Sequence, residues 1–164
     1  MTPDATVNVS LGPGVVVHGA ADLALARESW RALGPAAGGL TLGLFSARAA
    51  GCFMGPLWWA ALVAQPPARP DPHGGGATED WLDCGAAPGR AMQALRLGLP
   101  RLILAGCGAQ RAAVLDRAAP LGARIVQQRP ACLDLAAPGA PRALAAWLAG
   151  GWRRACDDIG SGLG

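Results

Sequence analysis

The stretch that decides the fold is Trp81-Leu82-Asp83-Cys84-Gly85-Ala86-Ala87-Pro88-Gly89-Arg90, which continues through 91–97. It has the pattern of a short strand, a glycine-rich turn and then a helix. In open α/β sheets, ligands bind where strand ends meet helix starts. The same stretch therefore predicts both the class of fold and the region in which a functional site would lie.

Strand-like and helix-like segments alternate on both sides of this stretch. Strands are predicted at 14–19, at 40–45, from 81, at 101–105 and at 124–126, with 132–135 as a candidate for a short extended edge. Helices are predicted at 22–33, 56–63, 91–97, 109–119 and from 141, with Asp22 as the N-cap of the first and Gly34-Pro35 as its end. This alternation predicts one α/β domain with a mainly parallel, five-stranded sheet and helices on both of its faces. A flavodoxin-like strand order is the first expectation, and part of a βα barrel is the alternative.

A single domain is expected over residues 1–159, because 164 residues are enough for one core but too few for two of normal size. Within it, the stretch near 65–80 is rich in proline and glycine, which predicts a flexible insertion rather than a helix or a central strand. The last residues, 160–164, are rich in glycine and are expected to form a disordered tail.

Arginine supplies all the positive charge, because none of the 14 lysine and arginine residues is a lysine. The formal net charge is +3, but the arginines are scattered, so no nucleic-acid partner is expected. Without lysine the chain cannot supply a Walker-type phosphate loop or a Schiff base. Without tyrosine it has no phenolic acid.

Five cysteines and two histidines occur without metal-site spacing, and C-x-x-C is absent. We therefore expect no metal and no cofactor, and cysteines that are mostly buried as small apolar side chains. The charge-free run 49–64 is shorter than the roughly 20 residues that span a bilayer, so a buried helix and no membrane span are predicted. Residues 1–10 lack the pattern of a secretory signal, and the cytoplasm is the expected location.

Polar and reactive residues that follow the predicted strands would gather at one edge of a parallel sheet. They are His18, Ser46, Arg48, Asp83, Cys84 and Cys107. Those predicted to bind a small ligand are Ser46, Arg48, Asp83 and Cys107. His18 is a candidate general base, oriented by Asp83 if their strands are neighbours.

Cys84 and Arg90 have the spacing C-x5-R in a loop between a strand and a helix. This resembles the active-site loop of cysteine-dependent phosphatases and, more loosely, that of rhodanese-like sulfurtransferases. The resemblance implies attack by a Cys84 thiolate on a phosphate or a sulfur-bearing anion, with Arg90 and the loop amides holding the charge. Such a mechanism requires an accessible Cys84 with a lowered pKa. The neighbouring Asp83 would raise that pKa, and Pro88 removes one N–H donor from the loop.

Residues 82–89 also resemble the first motif of some S-adenosylmethionine-dependent RNA methyltransferases. In that family the motif follows the first strand, and an acidic residue at the end of the next strand holds the ribose. Here two predicted strands precede the motif, and the next strand ends at Ala105-Gly106-Cys107 without an acid. An ordinary strand-to-helix turn is therefore expected.

The sequence as a whole predicts a small domain that acts by binding rather than by catalysis. No complete catalytic set is apparent, whereas alanine-rich helix faces and six tryptophans offer surfaces for a partner. Trp147 and Trp152, near the end of the last helix, would allow two copies to pair. The expected partners are another protein, a second copy or a small ligand at the strand ends. The alternative to a binding function is a thiol enzyme that uses Cys84 and Arg90.

Overall fold

Six parallel strands form the centre of the structure, a computed structural model that describes residues 11–66 and 77–155. The strands are β1 (Leu11–Val17), β2 (Thr41–Ser46), β3 (Thr78–Asp83), β4 (Arg101–Ile103), β5 (Arg124–Val126) and β6 (Cys132–Asp134). They lie in the order β5-β4-β3-β2-β1-β6, and every neighbouring pair is parallel. The predicted tail at 160–164 and most of the predicted insertion, 67–76, lie outside the described residues.

Helices follow the strands along the chain. They are α1 (Ala20–Leu33), α2 (Ala50–Phe53), α3 (Pro56–Val63), α4 (Pro88–Arg96), α5 (Ala109–Ala118) and α6 (Ala140–Ala146), and α6 continues into a wide π-type turn at Trp147–Gly151. As predicted, α1 ends before Gly34. It begins before Asp22, whose carboxylate accepts the backbone N–H of His18 instead of capping the helix. Within the described part of the chain, no helix combines the length and the apolar composition that crossing a membrane requires.

The predicted class, an α/β domain with a parallel sheet, is confirmed, but the sheet has six strands rather than five. The sixth is β6, the segment expected only as a short extended edge, which pairs with β1. The flavodoxin-like order is wrong, because each strand from β2 to β5 is added on the same side of its predecessor. Because β3 begins at Thr78, residues 78–80 belong to the sheet and not to an insertion.

The two faces of the sheet have different neighbours. One face, which includes Val15, Leu44 and Leu82, packs against the helices in the main core. The opposite face carries a smaller buried cluster that contains no helix residue: Val16, Phe45, Trp81 and Ile103. Among the described residues, the prediction of helices on both faces is therefore wrong. Right-handed crossovers that all move in one direction leave their helices on one face.

A short link forces the sheet to curve. β5 and β6 form its opposite edges, yet only residues 127–131 separate them in the sequence. In a flat sheet these edges would be about 24 Å apart, at about 4.8 Å per strand. The six Cα–Cα steps from Val126 to Cys132 reach at most about 22 Å, at about 3.6 Å per step. Both of these residues pack against the smaller cluster, so the edges curve toward the helix-free side, which we call the concave face. This arrangement corresponds to the alternative prediction, a partial βα barrel.

Two stacked aromatic rings fill the concave face. The ring centroids of Phe45 and Trp81 are 5.9 Å apart and the rings are nearly parallel. Phe45 lies against the backbone of its own strand, since a Cβ added at Gly43 would be 2.5 Å from Phe45 Cε2. A Cβ at Gly14 of β1 would be 3.1 Å from the same atom. Glycine at these two positions therefore makes room for the ring.

Paired charges lie on the concave face below the aromatic rings, toward the amino ends of the strands. The Glu79 carboxylate forms ion pairs with Arg101 of β4 and Arg124 of β5. The Arg124 guanidinium also lies over the Trp81 ring, 5.1 Å from its centroid. The concave face therefore has a charged lower layer and an apolar middle layer, and its upper end is free for a site.

We expect Gly43→Ala to destabilise the protein by about 1–3 kcal/mol, the range typical of an overpacked core. The new Cβ would collide with the Phe45 ring, so either the ring or the strand must shift. Denaturant unfolding measures the change. Gly89→Ala in α4 is the matched control, because its Cβ would meet nothing within 4 Å and alanine favours a helix. Adding Phe45→Leu should recover part of the loss. An unchanged unfolding free energy for Gly43→Ala would contradict this packing.

Candidate functional site

A cavity of about 600 Å³, which we call the upper cavity, lies between the carboxyl ends of the strands and the link 127–131. Its floor comes from the concave face and its walls come from the loops that follow β2 to β5 and from β6. The lining residues are Val16, Arg48, Asp83, Gly85, Ala86, Ile103, Ala105, Gln127, Gln128, Arg129, Pro130, Cys132 and Asp134. The carboxyl ends of parallel strands are where βα barrels and open α/β sheets bind their ligands.

Asp83, the last residue of β3, brings a buried carboxylate to the upper cavity, with only 6 % of the residue exposed. Its Oδ1 accepts the backbone N–H of Gly85 at 2.8 Å. Gly85 has a φ of +55°, a conformation that favours glycine, so this bond shapes the turn that leads into α4. From the residues the structure describes, Oδ2 accepts no hydrogen bond. Because Asp83 lines the cavity and no described residue donates to Oδ2, this oxygen is available to a ligand that donates a hydrogen bond.

Ser46, at the end of β2, supports two groups of the cavity without lining it. The fully buried hydroxyl accepts the backbone N–H of Asp83 at 2.9 Å. The carbonyl of Ser46 accepts Nη1 of Arg129 at 3.1 Å. Ser46, predicted as a ligand-binding residue, therefore lies behind the cavity wall and holds Asp83 and Arg129 on either side of itself.

Two arginines line the upper cavity. Arg129 is half-buried in the link, and its one hydrogen bond to a described residue goes to the Ser46 carbonyl. Among residues 11–66 and 77–155, no carboxylate lies within ion-pair distance of Arg129 or of Arg48. Arg48 follows β2 and is exposed. A guanidinium offers five N–H donors, so most donors of both groups can serve an anion.

His18 pairs with Asp134 and not with Asp83. β1 lies between β2 and β6, so the end of β6 meets the end of β1 while β3 is two strands away. His18 Nε2 and Asp134 Oδ1 are 2.7 Å apart, and the same oxygen accepts the backbone N–H of Ala136. Burial alone would raise the pKa of Asp134, but the bonds from Ala136 and His18 and the nearby charge of Arg129 lower it below its usual value. The pair therefore joins the two strand ends at the rim of the cavity.

Cys84 faces the helices instead of the cavity. It is fully buried in the main core, and a Cβ at Gly51 of α2 would lie 3.2 Å from its Sγ. Burial, with smaller contributions from Cys52 and Asp83, raises the pKa of the Cys84 thiol from its ordinary value of 9.0 to about 12. Successive side chains of a strand point to opposite faces, so Cys84 is turned away from the side on which Asp83 lies.

The other groups of the predicted thiol site are also apart from the cavity. Arg90 is exposed on α4, and its Nη1 donates to Gln93 Oε1 at 3.0 Å. Cys107 is exposed in the loop between β4 and α5 and is not among the lining residues. The accessible, low-pKa thiol with an arginine clamp that the C-x5-R resemblance requires is therefore not formed by Cys84 and Arg90 in this structure.

Of the four predicted binding residues, Arg48 and Asp83 reach the upper cavity together. Sequence reasoning did not identify Arg129 or Asp134, because their positions depend on the link and on the pairing of β6 with β1. The sequence contains one indication of where Asp134 points, because leucines alternate with other residues over 132–135. Leu133 and Leu135 belong to the main core, so the residues between and before them must face the concave side.

A metal-binding site is not apparent: within the described ranges, no group of three or more His, Cys, Asp or Glu residues could hold a metal ion. Trp147, predicted as part of a pairing surface, is half-buried, and its Nε1 donates to the Gly14 carbonyl at 3.0 Å. Trp152 is also half-buried, with the Arg153 guanidinium 5.2 Å from its ring centroid.

Comparison with models of protein families, with curated proteins and with solved structures found no match for this chain. The chemistry of the upper cavity is therefore the basis for assigning a function.

We expect iodoacetamide to label Cys107 readily in the native protein and Cys84 only after unfolding. Cys107 is exposed, whereas burial and a pKa of about 12 leave Cys84 almost without thiolate at neutral pH. Peptide mass spectrometry after timed labelling measures the labelling rates of both cysteines. Cys107→Ser is the control, because it should remove the rapid labelling expected of Cys107. Native labelling of Cys84 as fast as that of Cys107 would contradict the burial and would revive the thiol mechanism.

Proposed function

We propose that this is a cytoplasmic domain that binds a small polar molecule in the upper cavity, and that it acts by binding rather than by catalysis. A volume of about 600 Å³ is within the roughly 300–1,000 Å³ usual for small-molecule sites. Val16 and Ile103 give the cavity an apolar floor, and charged and amide side chains surround the rest. Such a mixture is typical of ligand sites.

The main support for this proposal is the Asp83 carboxylate, which has one oxygen without a described hydrogen-bond donor. One oxygen is used by the turn at Gly85, and the other has no partner among the described residues although the group is almost fully buried. A hydroxyl or amino group of a ligand would supply the missing hydrogen bond. Because hydrogen bonds to charged groups contribute more than neutral ones, Asp83 would be a main source of affinity.

Binding without catalysis is supported by the state of the reactive side chains that the structure describes. Cys84 is buried among the helices with a raised pKa. His18 is not among the residues that line the cavity, and its Nε2 is occupied by Asp134. The groups that remain in the cavity, carboxylates, guanidinium groups and amides, are suited to holding a polar molecule.

Asp83→Asn should weaken ligand binding about 10- to 100-fold, the effect of losing a hydrogen bond to a charged acceptor. Compounds that raise the melting temperature of the wild-type protein are selected from a library of small hydroxylated and amino compounds, and their affinities are measured by calorimetry. Asp116→Asn, on the exposed surface of α5, is the matched control and should bind as the wild type does. Equal affinities for wild type and Asp83→Asn, or a library without a single binder, would refute the proposed function.

We propose, as a second function, self-association through the apolar corner formed by Phe53, Met54 and Leu57 between α2 and α3. These side chains are 67 %, 48 % and 66 % exposed. Contiguous large apolar side chains on a surface are characteristic of protein–protein contacts. The corner suits this role better than Trp147, which is half-buried against its own domain.

Sedimentation velocity over a range of concentrations should detect a dimer of the wild-type protein. Phe53→Ser combined with Leu57→Ser should shift the population to monomer, because the contact loses its largest apolar area. Leu121→Ser, at another exposed leucine, is the control and should leave the distribution unchanged. A wild-type protein that stays monomeric at every concentration would exclude this second function.

A further inference from the structure

We infer that the ligand of the upper cavity is a small acid, with a carboxylate or phosphate group, that also carries a hydroxyl or amino donor. The donor would reach Asp83 and the acid group would reach Arg129, with Arg48 as a second cation. This inference rests on the proposed function and adds the chemical class of the ligand to it.

Arg129 offers a cation to the upper cavity. The guanidinium is held by a backbone carbonyl, that of Ser46, and by no described carboxylate at ion-pair distance. A half-buried cation that lines a cavity without a contacting anion is prepared to bind one, and guanidinium groups match carboxylate and phosphate oxygens in geometry. The remaining N–H groups of Arg129 can therefore bind an acid group in the cavity.

Arg129 and Asp83 lie near each other at the upper cavity. Both are tied to Ser46, Arg129 through the carbonyl at 3.1 Å and the backbone of Asp83 through the hydroxyl at 2.9 Å. Ser46 ends β2 and Asp83 ends β3, and neighbouring strands lie about 5 Å apart. The guanidinium and the carboxylate do not form an ion pair. The Arg129 guanidinium, a cation, and the Asp83 carboxylate, an anionic hydrogen-bond acceptor, are thus close enough for one small molecule to contact both.

The upper cavity contains charges of both signs. Two carboxylates, Asp83 and Asp134, face the two guanidinium groups of Arg48 and Arg129. Asp134 uses Oδ1 for both His18 and Ala136, and Asp83 uses Oδ1 for Gly85, so each carboxylate keeps one oxygen and the cavity offers acceptors as well as cations to a ligand. A ligand that carries both an acid group and a donor matches both kinds of group, whereas a purely cationic or a neutral ligand would bring no anion to the guanidinium groups.

A matched set of probes tests the inference: glycerol has hydroxyl donors but no acid group, propionate has an acid group but no donor, and glycerate and glycerol phosphate have both. Calorimetry should give the two bifunctional probes at least about tenfold higher affinity than either glycerol or propionate, since each charge-assisted contact is worth about that factor. Their affinity should also fall as salt is added.

Arg129→Gln and Arg48→Gln should each weaken the binding of glycerate and glycerol phosphate and make that binding less dependent on salt. Arg96→Gln is the control of equal charge change, because Arg96 lies in the last turn of α4 and therefore at the opposite end of the strands. Arg129→Gln could disturb the link, because it removes the hydrogen bond to Ser46. Arg48 has no described side-chain partner, so Arg48→Gln removes a cation without that structural change.

The outcomes separate the inference from the proposed function. If glycerol or neutral library compounds bind as tightly as the acids, or if the arginine variants bind the acids unchanged, the inference is wrong. Loss of that neutral binding in Asp83→Asn would then still support the proposed function. If neither the probes nor any library compound binds, both fail. Acid-bearing binders that depend on both Asp83 and Arg129 would support both.

Discussion

The five-residue link between β5 and β6 is the constraint on which the rest of the structure depends. It is too short to join the edges of a flat six-stranded sheet, so the sheet must curve. Curvature brings the link across the carboxyl ends of the strands, where Arg129 reaches the carbonyl of Ser46. The same link therefore sets the shape of the sheet and supplies one wall of the cavity.

The interior of the curved sheet is filled in layers, and this leaves the cavity at only one end. Glycine at 14 and 43 allows the Phe45 ring to lie close to the strands and to stack on Trp81. Below the rings, Glu79 forms ion pairs with two arginines, whose charges offset that of the half-buried carboxylate. Above them the layer of side chains is polar and incomplete, and the apolar cluster forms the floor of the upper cavity.

The sequence was sufficient to predict the alternation of strands and helices and the gathering of Arg48 and Asp83, because parallel strands share one carboxyl edge. It was not sufficient to choose between Asp83 and Cys84. Adjacent strand residues face opposite sides, and only the position of the helices tells which side is the cavity. The meeting of His18 with Asp134 depends on β6 returning to β1, a contact between residues 116 positions apart. Local patterns carry no information about such a contact.

Asp83 connects the fold to the site within the stretch that organises the chain. One of its oxygens fixes the turn at Gly85, from which α4 begins. The second oxygen accepts no hydrogen bond from a described residue and belongs to a side chain that lines the upper cavity, where a hydrogen-bond donor could reach it. An asparagine would shape the turn equally well through its side-chain oxygen, without burying a charge. The turn alone therefore does not require an ionisable group at this position, and the ligand that we propose for the upper cavity would give its charge a role.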